Sequence, residues 1–101
     1  MNTDGIKTML GFAARAGKLI SGETGSRIAV TKKKAKLMIM AEDAAATTQH
    51  EFMQLAERYQ TPILKILTRQ ELGNAIGKSP RAIVVVVDPG FAIQINKRAA
   101  E

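Results

Sequence analysis

A chain of 101 residues with 46% apolar side chains has material for one hydrophobic core and not two, so residues 1–101 are read as a single domain that folds without staples. With no cysteine and a single histidine, His50, disulfides, thiolate chemistry and zinc fingers are excluded, and no metal or cofactor is expected. Fifteen Lys and Arg against nine Asp and Glu make the chain basic; no apolar run approaches the ~20 residues of a membrane-spanning helix, the amino terminus lacks a signal-peptide pattern, and the expected location is the cytoplasm.

The first helix is expected from Asp4, placed to cap it, to Ala16, because Ile6, Met9, Leu10 and Ala13 recur at helical spacing and Gly17 supplies a stop. Lys18 to Ser21 reads as a short strand. Beyond Ser21-Gly22 a weaker helical stretch runs to Lys33, its buried face supplied mainly by Ile28 and Ala29, with Gly25 lowering its propensity. Leu37 to Ala41 is an unbroken apolar run of strand length, the pattern of a strand covered on both faces.

Thr48 and Glu51 have the Thr-x-x-Glu spacing of a capping box ahead of Phe52, Leu55, Ala56 and Tyr59, which fall on one helical stripe closed by Pro62. Ile63 to Leu67 makes the next strand. A second capping box, Thr68 with Glu71, opens a short helix that carries Leu72 and Ile76 and stops at Gly77. Ala82 to Val87 is the most β-branched strand, and Asp88 before Pro89 caps a last helix that reaches Ala99. The order αβαβαβαβα predicts an α/β fold, a three-layer α/β/α sandwich with a four-stranded mixed sheet.

Several motifs invite a chemical reading. Gly77-Lys78-Ser79 ends like a phosphate-binding loop, yet the position that needs glycine holds Leu72, and the motif leads from a helix into Pro80 and a strand. Gly22-Glu23-Thr24-Gly25 matches the Gly-x-x-Gly loop that clamps nucleic-acid backbones, although Glu23 would repel phosphate. Glu42, Asp43 and His50 are the acid–base candidates, but neighbouring strand positions point to opposite faces and His50 belongs to a first helical turn. No nucleophile, base and oxyanion donor converge, so no catalytic residue is expected.

The positive charge is segregated. Residues 1–41 hold eight basic and two acidic side chains, residues 42–64 one and four, and residues 65–101 six and three. Lys32, Lys33, Lys34 and Lys36 stand at a helix end, where cations either complement the helix dipole or contact phosphate. Phe12, Phe52, Tyr59 and Phe91 all occupy positions read as core, so base stacking is not expected to dominate. What remains is a helix N-terminus at Gly22 to Arg27 and a loop from Lys78 to Arg81, both suited to offer amides and cations to phosphates and base edges.

Leu10-Gly11-Phe12-Ala13-Ala14-Arg15-Ala16-Gly17-Lys18, Ser21-Gly22-Glu23, Ala35-Lys36-Leu37, Ala41-Glu42-Asp43-Ala44, Glu71-Leu72-Gly73-Asn74-Ala75-Ile76-Gly77-Lys78 and Asp88-Pro89-Gly90-Phe91-Ala92 together resemble the ribosomal protein L7Ae/L30e superfamily, in particular its small bacterial members. The likeness covers nearly the whole chain. It implies an α/β/α sandwich that binds RNA, typically a kink-turn, with the start of the second helix in the groove at tandem G·A pairs and the loop before the last strand on a flipped-out base. By resemblance those regions are Gly22 to Ile28 and Lys78 to Arg81. The Asn, Glu and Lys with which the best-known members read the guanines align with Thr24, Gly25 and Ile28, so none of the three is present. Thr24 keeps one hydroxyl, and Arg27 is the long donor left for a guanine edge or phosphate.

The expected function is therefore recognition and stabilisation of a structured, kink-turn-like RNA of ribosomal type. Gly22, Glu23, Thr24, Gly25 and Arg27 are placed at the groove, Lys32, Lys33, Lys34 and Lys36 on phosphates, and Lys78, Ser79 and Arg81 opposite. The alternative is a protein-interaction module that docks on a ribosomal or RNA-modifying partner and binds RNA only non-specifically.

Overall fold

A computed structural model describes residues 1–101 as nine elements: α1 Thr3–Arg15, β1 Leu19–Ser21, α2 Glu23–Thr31, β2 Leu37–Met40, α3 Ala46–Arg58, β3 Ile63–Lys65, α4 Arg69–Ala75, β4 Ile83–Val86 and α5 Pro89–Ala100. The order is the one the periodicities imply. The strand order is β1-β4-β2-β3, with β4 antiparallel to both β1 and β2, and β2 parallel to β3. The sheet is thus mixed, with β1 and β3 at its edges.

The two interior strands explain the apolar runs. All of Leu37–Met40 and Ile83–Val86 is buried, and alternate side chains feed opposite layers. Leu37, Ile39, Val84 and Val86 pack with Ile6, Leu10, Leu72 and Ile95 beneath α1, α4 and α5. Met38, Met40, Ile83 and Val85 pack with Ala29, Val30, Phe52 and Ala56 beneath α2 and α3. Each fully buried aliphatic side chain contributes roughly 1.5–3 kcal/mol, so strands of only four residues suffice to hold the three layers.

Local starts and stops differ from expectation in instructive ways. The Asn2 carboxamide, not Asp4, caps α1, accepting from the Gly5 amide at 2.8 Å, and Asp4 falls in the first turn. The expected Thr48–Glu51 capping box does not form: α3 begins at Ala46 without a side-chain cap, and both side chains are drawn across to α2. The Thr68–Glu71 box does form, with Thr68 Oγ1 accepting from the Glu71 amide at 3.1 Å and Glu71 Oε1 accepting from the Thr68 amide at 3.0 Å. Asp88 caps α5 by accepting from the Phe91 amide at 2.9 Å.

Two expected core residues are on the surface. Ile28 is 49% exposed, because the buried stripe of α2 is Ser26, Ala29 and Val30. Phe12 is 47% exposed, because α1 buries Ile6, Leu10 and Ala13 and leaves position 12 off that stripe.

Candidate nucleic-acid interface

The start of α2 is built by a glycine. Gly22 sits at φ +90°, a conformation costly for any residue with a Cβ, and its amide still donates to the Ile83 carbonyl at 2.9 Å before the chain enters the helix. No side chain caps this end, so the amides of Glu23, Thr24 and Gly25 have no protein acceptor and point outward along the positive end of the helix dipole. Thr48 Oγ1 donates to Glu23 Oε1 at 3.0 Å, which draws the carboxylate towards α3 and away from the helix mouth. Thr24 is exposed there.

The side chain missing at position 25 has a structural cause. A Cβ on Gly25 would lie 2.8 Å from the Ile20 Cγ2 methyl, so β1 fills the space from which a longer side chain would spring. Arg27, expected at the groove, is committed instead to Glu51 through Nε to Oε2 at 2.5 Å and Nη2 to Oε1 at 2.9 Å, with its guanidinium over the Phe52 ring. The hydrogen bond from Arg27 holds the Glu51 carboxyl below the usual carboxylate range, and the same bond raises the guanidinium. Arg27 therefore clasps α2 to α3 and fixes the attitude of the helix mouth.

The loop before β4 lies against that mouth. Gly77 turns at φ +72°, the Lys78 amide returns to the Gly73 carbonyl at 2.9 Å, and Gly73 must lack a side chain because its Cβ would fall 2.3 Å from the Ser79 carbonyl oxygen. Arg81 organises the loop: Nη1 donates to Ser79 Oγ at 2.7 Å and to the Ser79 and Pro80 carbonyls, while Nε reaches Ser21 Oγ at 3.4 Å, next to Gly22. Beside the loop, Asp43, Arg69, Gln70 and Pro80 line an open polar hollow of about 310 Å³.

The acid–base candidates are dispersed. Asp43 Oδ1 accepts from the Arg69 amide at 2.8 Å at the mouth of α4, while Glu42 and His50 are exposed. No group of three His, Cys, Asp or Glu side chains gathers to hold a metal, and no helix is long and apolar enough to cross a membrane.

The lysines form a second cluster. Lys32, Lys33, Lys34 and Lys36 are exposed at the far end of α2, with Lys32 roughly 15 Å from Gly22 at 1.5 Å per residue. None shares an ion pair, the three pairs being Lys7–Glu71, Arg27–Glu51 and Arg69–Asp43. The Lys36 amide donates to the Val86 carbonyl at 2.7 Å, and the next residue, Val87, donates to the Lys18 carbonyl at 2.9 Å. Lys18 thereby joins Lys36 at one end of β4, a neighbour that sequence reasoning missed because only the strand order creates it.

The chain matches the ribosomal protein L7Ae/L30e/S12e/Gadd45 family over residues 4–96. It belongs to that family. Among L7Ae-type relatives, the RNA-binding protein YlxQ of Bacillus subtilis strain 168 is 38% identical over 84 residues, spanning 83% of this chain and 84% of that protein. The RNA-binding protein YlxQ of Enterococcus faecium is 34% identical over 91 residues, spanning 90% and 87%. A Bacillus halodurans protein of unknown function superposes with a TM-score of 0.91 at 34% identity, covering 95% of this chain and 97% of that one. The 15.5kD RNA binding protein of Giardia lamblia shares the L7Ae-type fold at a TM-score of 0.80 and 21% identity, over 97% of this chain and 88% of that one.

Proposed function

We infer that this protein binds structured RNA of the kink-turn type and stabilises its bend, acting in the cytoplasm on ribosomal or other folded RNA. The observation that carries the reading is the uncapped start of α2, where three unpaired amides and the Thr24 hydroxyl sit beside the Arg81-braced loop. Free amides at a helix N-terminus suit the phosphates and the acceptor atoms on base edges of RNA. The two YlxQ relatives, named as RNA-binding proteins, support the same reading.

The mode of contact follows from what is missing. With Gly25 and Ile28 in place of long polar readers and Arg27 held by Glu51, recognition rests on backbone amides, Thr24 and the loop cations Lys78 and Arg81. The role is recognition of a shape, with no bond made or broken.

The test is a titration of the purified chain with a kink-turn RNA and a straight duplex of equal length at two salt concentrations. Preference for the kinked RNA at both salts supports the reading. Equal, salt-sensitive binding to both would leave only electrostatic attraction, which carries no shape selectivity.

A further inference from the structure

We propose that the cleft between the C-terminal ends of α1 and α4 is a second RNA-backbone site, in which Arg15 and Lys78 hold a phosphate of the strand that continues beyond the Lys78–Arg81 loop. This rests on the RNA-binding reading above and extends it to a surface that the helix mouth does not include.

The cleft has a volume of about 360 Å³, within the range of ordinary ligand sites, and is lined by Gly11, Ala14, Arg15, Asn74, Gly77 and Lys78 among others, none of them acidic. Gly11 makes it possible. A Cβ there would lie 3.2 Å from the Ala75 carbonyl oxygen, so α1 and α4 approach closely at this point and leave the hollow beside the crossing. The same imaginary Cβ would lie 3.5 Å from Arg15 Nη1, which shows the guanidinium folded back along its own helix. Gly77, at φ +72°, reverses the chain and brings Lys78 to the opposite rim.

Arg15 is held without being neutralised. Its guanidinium lies 5.1 Å from the centroid of the exposed Phe12 ring, it has no carboxylate within ion-pair distance, and it makes no side-chain hydrogen bond. The α1 dipole accounts for a cation in the last turn, but not for an exposed aromatic ring that orients it over a cleft. A guanidinium with its donors open and a nearby ammonium, on a surface free of acids, is suited to a phosphodiester.

The position of the cleft gives the site a purpose. The helix mouth and the Lys32–Lys36 cluster stand at opposite ends of α2, with no cation free between them on that helix. Lys78 belongs to the loop beside the mouth, Arg15 faces it across the cleft, and Lys18, three residues on, lies with Lys36 at the end of β4. Lys78, Arg15, Lys18 and Lys36 thus follow one another from the loop through the cleft to the end of β4, and one strand of RNA could follow that series from one cluster to the other.

The test compares a kink-turn RNA carrying single-stranded extensions of about ten nucleotides, long enough to cross one small binding domain, with the same RNA trimmed blunt. Arg15→Gln removes the charge while keeping a polar side chain of similar helix propensity. The variant is expected to bind the extended RNA about tenfold more weakly and to flatten its log affinity against log salt by about one, with the trimmed RNA unaffected. Unchanged affinity for both RNAs would overturn the proposal and leave Phe12 and Arg15 to a protein partner; equal weakening of both would overturn it by placing Arg15 at the primary site. Failure of the native chain to bind either RNA would overturn both this inference and the reading on which it rests.

Discussion

Ser26 is wholly buried on the inner face of α2, and its Oγ has no hydrogen-bond partner. An unsatisfied buried hydroxyl costs roughly 1–3 kcal/mol, and alanine fits the same space with better helix propensity. Ser26→Ala is therefore expected to stabilise the protein by about 1 kcal/mol, measured as a higher urea midpoint at unchanged slope. A lower midpoint would mean that the hydroxyl has a partner in solution, such as a trapped water. Neither this orphan nor the commitment of Arg27 was legible in the sequence, where Arg27 reads as a donor free for RNA. What decides them is packing against other elements, which gives Arg27 the Glu51 carboxylate and leaves Ser26 buried without a partner. Gly25 is similar, since its need for bareness comes from the Ile20 methyl on another element.

At the scale of elements, the same four-residue spacing occurs twice with opposite outcomes. Thr68 and Glu71 cap α4 reciprocally, while Glu71 Oε2 also accepts from Lys7 Nζ at 3.0 Å. Thr48 and Glu51 lie inside α3 because α2 supplies them with partners. Thr68→Ala should cost about 1 kcal/mol in a denaturant titration, whereas Thr48→Ala should leave the start of α3 intact. The carboxyls also predict an acid response. The Thr68 amide holds Glu71, and the Arg27 guanidinium holds Glu51, below the usual carboxylate range. Folded-state values below the unfolded ones mean that this stability is fully present above the ordinary glutamate range and is lost as pH falls through the depressed values. The urea midpoint of the native protein should thus fall between about pH 5 and pH 3, and Glu51→Gln or Glu71→Gln should each make that fall shallower. An equally steep fall in both variants would assign the acid response elsewhere. Periodicity and turn chemistry made all nine elements legible; the cap contacts that depend on a second element were not.

At the scale of the molecule, the segregation of charge along the chain becomes a segregation in space only through the strand order β1-β4-β2-β3. The first 41 residues supply α1, β1, α2 and β2, so the basic surplus lies on the edge strand β1, the interior strand β2 and their helices, while the acidic stretch 42–64 leads through α3 to β3 at the edge opposite β1. Such a polarised surface orients RNA before any specific contact forms. Lys32, Lys33 and Lys34 stand a helix length, roughly 15 Å, from the helix mouth and share no carboxylate, so their contribution should be electrostatic and indifferent to the kink. Replacing all three by Ala is expected to weaken binding to kinked and straight RNA by the same factor. Every ammonium withdrawn from a phosphate should flatten the dependence of log affinity on log salt by about 0.7–0.9, a change of about two for the triple variant if most of the three touch phosphate. The kinked-to-straight affinity ratio should meanwhile stay constant, because the uncapped amides of Glu23, Thr24 and Gly25 and the Arg81-braced loop are untouched. A ratio that falls towards one would show that the lysines read the bend itself, and would move the shape-selective surface from the start of α2 to its end.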